Sequence, residues 1–454
     1  MKAESKVCIL GCILFGLLAF SPAIAGERMG SRRDASLDSR VDGWVELELP
    51  ELLKVYRHLH ENPELSLKEA KTSAFVAKAL AKAGYSVETK IGGYGVIGIL
   101  RNGRGPTLLI RGDMDGLPIV EATGLPYASV VRTKNAEGRE VGVMHACGHD
   151  VHVTNLLGTA QLLAELADEW RGTLVILAQP AEELGLGALH MIDDGLFDRI
   201  PRPDHAIALH VAAELRAGSI GFVSGWAAAN VDWVRITMHG RGGHGARPHE
   251  AVDPIVMSAH LVTALQSIVS RQIDPSKPAV VTVGSIHGGA KSNVIPDQVK
   301  LELTVRSYSD EVREQLLRSI ERMAEESCDL FDCPRPPEVW IKPDYTPAMW
   351  NDPDLARRGV EVFRSMLGNA KVHEISATMT GEDFGRYTRA GDFPSFLYRL
   401  GSVSPSEWDK RRSDGRRLPS IHSSLFAPDP EETLRTGLRS MARLALELLG
   451  PAPD

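Results

Sequence analysis

Apolar residues recur at helical spacing over residues 45–60 and again over 67–83, with Asn62-Pro63 between the runs and Gly84 closing the second, a pattern that predicts two helices. Strand-like runs follow at 95–100 and 107–111, joined by the turn Asn102-Gly103-Arg104-Gly105. Two further apolar runs, 174–178 and 206–209, alternate with helical patterns at 153–166 and 188–194. Alternating strand and helix predicts a largely parallel α/β sheet. From about Asn230 the rhythm changes to strand (231–238), helix (254–271), two strands (279–286 and 298–306), helix (310–328) and strand (339–345). That βαββαβ order is the ferredoxin-like split unit. Helical material resumes at 352, a short strand follows at 395–400, and a last helix covers 430–449. The expected organisation is an α/β domain in two pieces, 40–229 and 347–450, with a ferredoxin-like α+β domain inserted at 230–346.

A chain of 454 residues is long for one ordinary core, which agrees with two domains. Lys2 and Lys6 precede an apolar run at 7–20, and Ala23-Ile24-Ala25 supplies a small-x-small pattern before Gly26. Residues 1–25 therefore read as a signal peptide, and an exported protein, periplasmic or secreted, is expected. The run is short for a membrane span, and no later segment is apolar for longer, so no membrane contact is expected after cleavage. The formal net charge of −8, with no basic tract, argues against a nucleic-acid partner. Cleavage would leave Cys147, Cys328 and Cys333. The last two stand five residues apart and either pair in an oxidising compartment or remain thiols. Cys147 would be the odd thiol, which metal coordination would protect.

The chemistry concentrates in Met144-His-Ala-Cys-Gly-His-Asp-Val-His152, which packs one thiol, one carboxylate and three imidazoles into nine residues. Sulfur and nitrogen donors at Cys147 and His149, one glycine apart, suit Zn, Mn, Co or Ni and disfavour Ca²⁺. A second concentration is Glu182-Glu183, at a strand end where the backbone kinks after Pro180 and Gly185-Leu-Gly187 follows. Two adjacent carboxylates there can diverge, one to a metal and one to the water it activates. A hydrolytic centre needs open coordination and a nearby general base. Cys147, His149, Glu183, His210 and His422 would supply ligands for two divalent transition-metal ions, with Glu182 as the base. The predicted strands place Asp113 and Asp115, Glu182 and Glu183, and His210 directly after their ends, where ligands bind in open α/β sheets.

Seven segments, in order over roughly residues 45 to 450, resemble the aminoacylase and hippurate hydrolase branch of the metallocarboxypeptidase amidohydrolases, which includes plant auxin-conjugate hydrolases. They are Arg111-Gly-Asp-Met-Asp-Gly-Leu-Pro118, the run 144–152, Gln179-Pro-Ala-Glu-Glu183, Ala208-Leu-His210, Gly242-Gly-His-Gly-Ala-Arg-Pro-His249, Asn293-Val-Ile-Pro-Asp297 and Thr380-Gly-Glu-Asp-Phe384. The resemblance implies a mostly parallel-sheet, two-metal catalytic domain with an inserted ferredoxin-like lid domain. It implies the ligand set above, with Glu182 shuttling the proton. Asp115 would orient a ligand imidazole from behind. His244 matches the histidine that polarises the scissile carbonyl, and Asn293 and Arg306 match positions that hold a substrate's free carboxylate. For Arg306 a surface ion pair is the plain alternative. Asp113 and Asp150 receive no role beyond support.

The implied activity is hydrolysis of the amide of an N-acyl amino acid, with a metallo-dipeptidase or carboxypeptidase of the same fold as the alternative. A non-catalytic binding protein would require loss of Glu182 or a ligand, and all are present. A nucleotide site at Gly240-Arg-Gly-Gly-His-Gly245 lacks the acidic residue expected about 20 positions on. The resemblance also allows a homo-oligomer through the inserted domain. Three features depart from the family pattern: Glu183-Leu-Gly-Leu-Gly187, the segment 213–226 with Trp226 and Trp233 near the junction, and a polar insert between Gly401 and His422. They bear on substrate identity rather than on the metal site.

Overall fold

The computed structural model describes residues 22–415 and 417–451, so the apolar run at 7–20 lies outside it. The first six principal strands, β1 (Ser86–Ile91), β2 (Gly95–Asn102), β3 (Thr107–Asp113), β4 (Gly172–Gln179), β5 (His205–Arg216) and β6 (Ile220–Phe222), belong to one sheet. The next four, β7 (Asn230–His239), β8 (Ala279–Gly288), β9 (Gln298–Ser307) and β10 (Glu338–Ile341), form a second. The chain then returns to the first sheet with β11 (Val372–Glu374) and β12 (Ser395–Val403). Across the large sheet the order is β1-β2-β4-β3-β5-β12-β6-β11. The central run β4-β3-β5-β12 is parallel, while β1 and β2 on one side and the β12–β6 pairing on the other are antiparallel. The sheet is thus mostly parallel where it carries the chemistry. The polar edge strand β1 has only Ile91 buried, and its weak apolar signal hides it from a periodicity reading.

Both faces of the large sheet are covered, which explains the near-continuous apolar runs of β3 and β4. Leu108, Ile110, Leu174 and Ile176 pack beneath α1 (Pro22–Glu61), α2 (Ala70–Lys82), α3 (His149–Glu165) and two later helices, α6 (Pro353–Leu367) and α7 (Pro430–Leu449). Their neighbours Leu109, Val175 and Leu177 point the other way, against Met191, Leu196, Phe384 and Tyr387 of short helices. In the second sheet the order β8-β9-β7-β10, antiparallel throughout, is the ferredoxin-like arrangement. Strict alternation along β9 buries Val299, Leu301, Leu303 and Val305 against α4 (Pro254–Ser267) and α5 (Asp310–Leu330). α4 passes without a break into a wider helical turn at Ile268–Gln272, so the expected helical span 254–271 is filled but its last turn is not α-helical. Cys328 and Cys333, at the end of α5, are joined by a disulfide with their Cα atoms 5.1 Å apart. No helix among the described residues is long and apolar enough to cross a membrane.

α1 meets the catalytic end of the sheet through a buried charge. His60 Nδ1 lies 2.7 Å from Asp150 Oδ2, in the first turn of α3, and its Nε2 lies 3.1 Å from Glu121 Oε1. Burial alone would lower the His60 pKa, but the hydrogen bonds to Asp150 and Glu121 outweigh it and raise the value to about 10. A folded-state pKa above the unfolded one stabilises the fold completely below about pH 6.5. That contribution disappears as pH rises through about 10. In thermal melts the Tm deficit of His60→Gln should therefore be largest at or below pH 6.5 and shrink steadily towards pH 10. A deficit independent of pH would mean that the ring is neutral in the folded protein.

Candidate active site

Four segments bring the chemistry to the carboxyl ends of the parallel strands. β3 ends on Asp113, with Asp115 just beyond it; β4 ends on Gln179, and after Pro180 the chain makes a single tight turn at Glu182–Leu184. His210 does not follow its strand, as the apolar run suggests, but lies inside β5, which continues to Arg216 and pairs with β12 from Ala206 to Ala212 and again at Arg216. Between Cys147 and His149, Gly148 adopts φ 78°, and a Cβ there would stand 2.5 Å from Val211 Cγ2. Only glycine fits that close approach, so the thiol and the first residue of α3 are turned into the same cleft. His422, in the left-handed region at φ 64°, is tied beside the thiol by its N–H, which donates to Ala146 O at 2.8 Å.

The five candidate ligands converge. Cys147 Sγ lies 3.4 Å from His210 Nε2 and 3.3 Å from His422 Nε2. Glu183 Oε1 lies 3.5 Å from His422 Nε2 and 3.9 Å from His149 Nε2. Around a tetrahedral ion with bonds of about 2.0–2.3 Å, neighbouring donors stand roughly 3.3–3.8 Å apart. Among the described residues, buried His149 Nε2 and Glu183 Oε1 have no hydrogen-bond partner, a costly arrangement unless a cation joins them. His210 Nδ1 donates to Val211 O at 2.7 Å, which leaves Nε2 as the free lone pair. Burial and then Glu183 push the Cys147 thiol well up, so its thiolate form needs a cation beside it. The donor set fits a transition-metal centre.

Two buried carboxylates hold the Glu182-Glu183 turn. Asp115 accepts from Glu182 N at 3.2 Å and Glu183 N at 3.1 Å, and from Ser66 Oγ at 2.6 Å. It also meets His149 Nδ1 at 3.2 Å, the orienting contact that the resemblance implies for it. Glu69 accepts from Ala181 N at 2.8 Å and from Leu67 N at 3.0 Å. Both of those residues lie in the left-handed region, at φ 49° and 64°, where non-glycine backbone is strained. Burial, then Asp115, raises Glu69 to about 7.

Beneath the turn, Arg111 forms a buried ionic hub. Its guanidinium meets Asp113 at 2.6 Å, Glu382 at 3.0 Å, Asp383 at 3.1 Å and Gln179 at 3.0 Å. Burial, then Glu382, Glu183 and Asp383, push Glu182 well above the usual carboxylate range.

The cleft above this centre is lined by Cys147, Glu182, Glu183, His210 and His422 from the large sheet's side and by Val231, Trp233 and Arg306 from the second sheet. Arg306 thus reaches the cleft, and its Nε donates to Thr304 Oγ1 at 3.0 Å. His244 and Asn293 do not line it. His244 lies on a small ribbon, Gly243–His244 paired with Val294–Ile295, and Asn293 lies just before its second strand, its carbonyl accepting from Gly245 N at 2.9 Å; the exposed His244 Nδ1 accepts from Ala246 N at 3.0 Å. Sequence reasoning missed Glu69, Glu382 and Arg399. The signal for Glu382 was present in Thr380-Gly-Glu-Asp-Phe384. Glu69 and Arg399 lie in stretches whose local pattern says only helix start and strand.

A model of peptidase family M20/M25/M40 matches residues 109–446. The chain is 38% identical over 361 residues to N-acetyl-L-cysteine deacetylase of Bacillus subtilis, covering 79% of this chain and 82% of that one. It is 34% identical over 400 residues to thermostable carboxypeptidase 2 of Saccharolobus solfataricus, covering 87% and 95%. The crystal structure of a dinuclear metal binding peptidase of the M20 family from Bacillus subtilis superimposes with a TM-score of 0.72 at 29% identity, covering 89% of this chain and 99% of that one.

Removal of the Glu69 acceptor should release the strained Ala181 and let the turn carrying Glu182 shift. A misplacement on the order of 1 Å at a reacting group costs about 10²-fold in rate. Glu69→Ala should therefore lower kcat by roughly that factor while the circular dichroism spectrum is retained, and Glu69→Gln, which keeps one acceptor oxygen, should recover most of the loss. Equal kcat in the two variants would show that the hydrogen bonds to Ala181 and Leu67 do not position the turn.

Proposed function

The chain belongs to peptidase family M20/M25/M40, and from that membership we propose that it is an exported two-metal hydrolase that cleaves N-acyl amino acids into the free amino acid and a carboxylic acid. That it is a metal-dependent amidohydrolase follows from the family and from its deacetylase and carboxypeptidase relatives. The observation that carries the finer reading is the convergence of five unprotonated-type donors beside a separate, partly buried carboxylate, Glu182, in a cleft that also receives a cation, Arg306. Export is supported by Lys2, Lys6 and the apolar run 7–20 ahead of Ala25.

Cys147, His149, Glu183, His210 and His422 would hold two divalent ions of the Mn, Zn, Co or Ni class. When bound, such ions supply Lewis acidity to an amide carbonyl and lower the pKa of water to roughly 7. Glu182 takes the proton of the attacking water and delivers it to the amide nitrogen as the C–N bond breaks. Asp115 keeps the Glu182 and Glu183 amides and the His149 ring in one fixed relation while this happens. Arg306 receives the free carboxylate of the amino-acid half, for which a planar guanidinium is suited. His244 and Asn293 take the roles the resemblance implies only when closure of the second sheet over the cleft, or a second chain, brings them to the substrate. Carboxypeptidase action on a peptide is the second reading, supported by the carboxypeptidase relative; it uses the same carboxylate contact.

Chelation should abolish activity, and Mn²⁺, Zn²⁺, Co²⁺ or Ni²⁺ should restore it. Within the glutamate pair, Glu182→Gln should keep the metal content by elemental analysis while kcat falls by roughly 10²–10⁴-fold, the usual worth of general acid–base catalysis. Glu183→Gln should instead lose metal. The reverse order would exchange the two assignments.

Arg306→Ala should lower kcat/KM on N-acyl amino acids by roughly ten- to a hundredfold, the loss of one charge-assisted contact. Substrates with an amidated carboxyl group should be poor for the wild type and little changed by the substitution. Equal wild-type rates on free-acid and amidated substrates would remove Arg306 from the site.

A further inference from the structure

The cleft contains a cation that this mechanism leaves unused. Arg399 lies on β12 in register with His210 on the parallel strand β5. Strands pair about 4.8 Å apart, and side chains alternate between faces along each one. Tyr398 and Leu400 point into the core beneath the long helices, so Arg399 points the other way, on the side where Leu397 packs. That direction takes it into the cleft beside Cys147, Glu182, His210 and His422.

Three other arginines of the two sheets and their connections are engaged. Arg111 is held by three carboxylates, Arg313 by Asp232, and Arg386 by the carbonyls of Asp344 and Tyr345. The second basic group on the lid side, Lys342, has its ammonium 4.3 Å from the Trp233 ring centroid. Arg399 is half-buried and makes no hydrogen bond or ion pair among the described residues. A half-desolvated guanidinium without an anion is unfavourable, and it is more so beside donors that gather divalent cations. An anionic group entering with the substrate would satisfy it, and a carboxylate matches the planar fork best.

We propose that Arg399 is a specificity residue that receives a second carboxylate of the substrate, so that the preferred N-acyl amino acid is a dianion. One carboxylate is the α-carboxylate met by Arg306. The other belongs either to a dicarboxylic acyl group or to an acidic amino-acid side chain. This rests on the N-acyl amino acid reading above. The hydrolytic step is unchanged: the water oxygen bonds to the acyl carbon, the C–N bond breaks, the nitrogen leaves with the proton carried by Glu182, and Arg399 stays protonated throughout.

The test compares metal-loaded enzyme on N-acetyl-L-alanine, N-succinyl-L-alanine and N-acetyl-L-glutamate. One dianion should exceed N-acetyl-L-alanine in kcat/KM by about tenfold or more, the worth of a hydrogen bond to a charged group, and which one does so identifies the half of the substrate that Arg399 reads. In Arg399→Gln that ratio should fall towards one, and Arg399→Lys should recover part of it. Calorimetric binding of the same three compounds to metal-loaded Glu182→Gln should show the same preference without turnover. A ratio of one in the wild type, or a preference that survives Arg399→Gln, overturns the proposal while leaving N-acyl amino acid hydrolysis intact. Failure of the wild type to hydrolyse any of the three would count against the N-acyl amino acid reading, and the calorimetric ratio would still decide the role of Arg399.

Discussion

The catalytic end of the molecule depends on one carboxylate. Asp115 accepts from the amides of Glu182 and Glu183 and from Ser66, and meets the His149 ring, so the proposed base, one metal ligand and another ligand's imidazole are referred to the same two oxygens. Burial alone would raise its pKa, but His149 and Ser66 hold it below the ordinary range, and the carboxylate stays ionised. Charge-assisted hydrogen bonds in a water-poor site are strong and geometrically strict. Glu69 extends the grip by one residue to Ala181. Three successive amides, 181 to 183, are therefore fixed before any ion or substrate arrives, which is what a general base placed within hydrogen-bond reach of a water requires.

The placement of the second sheet follows from the same end of the fold. The chain leaves the large sheet after β6, builds the ferredoxin-like unit and returns at β11, so the unit is joined to the large sheet by two strands of chain. Val231 and Arg306 are register partners on β7 and β9, and both line the cleft with Trp233. The large sheet contributes donors and the base, while the second contributes a cation and an aromatic wall. The cleft is thus built from two cores: Arg399 enters it from the large sheet beside the donors, and Val231, Trp233 and Arg306 enter it from the second.

Much of this was legible in the sequence where local chemistry and periodicity agree. The last helix matches its expected span, 430–449, because Asp429 caps it, Pro430 occupies its first turn and Gly450 ends it at φ 77°. The βαββαβ order emerged because β9 alternates strictly and α5 carries a clear apolar stripe. The five donors could be selected only as a set: Cys147-Gly-His149, the Glu182-Glu183 pair and the lone His210 and His422 each say little alone, and their joint occurrence with the resemblance singles them out. Glu69 could not, since its importance lies in the two amides it holds, one of them 112 residues away at Ala181 and the other two residues away at Leu67. Arg399 was hidden for the same reason: only lateral pairing with His210 shows which cleft it enters. The exposed position of His244 and Asn293 is likewise set by how one sheet sits against the other, which no local pattern encodes.

The run 144–152 shows how a protein separates donors from supports within nine residues. His152 lies close enough to Asp113 and His149 to pass for a ligand, yet its Nδ1 meets Asp113 Oδ1 at 2.5 Å and its Nε2 accepts from Val211 N at 2.9 Å. With both ring nitrogens used, it has no lone pair to give a metal. Asp113 is similarly consumed between His152 and Arg111, and Asp150 faces away to His60. The buried ring of His145, without a hydrogen-bond partner among the described residues, is pushed down to about 4, by burial first, and so stays neutral. What remains available is Cys147 Sγ and His149 Nε2, turned together by Gly148. The same hydrogen bonds that disqualify the other polar residues fix the strand ends from which these two project, so the selectivity of the centre for its donors and the rigidity of the sheet beneath it have one origin.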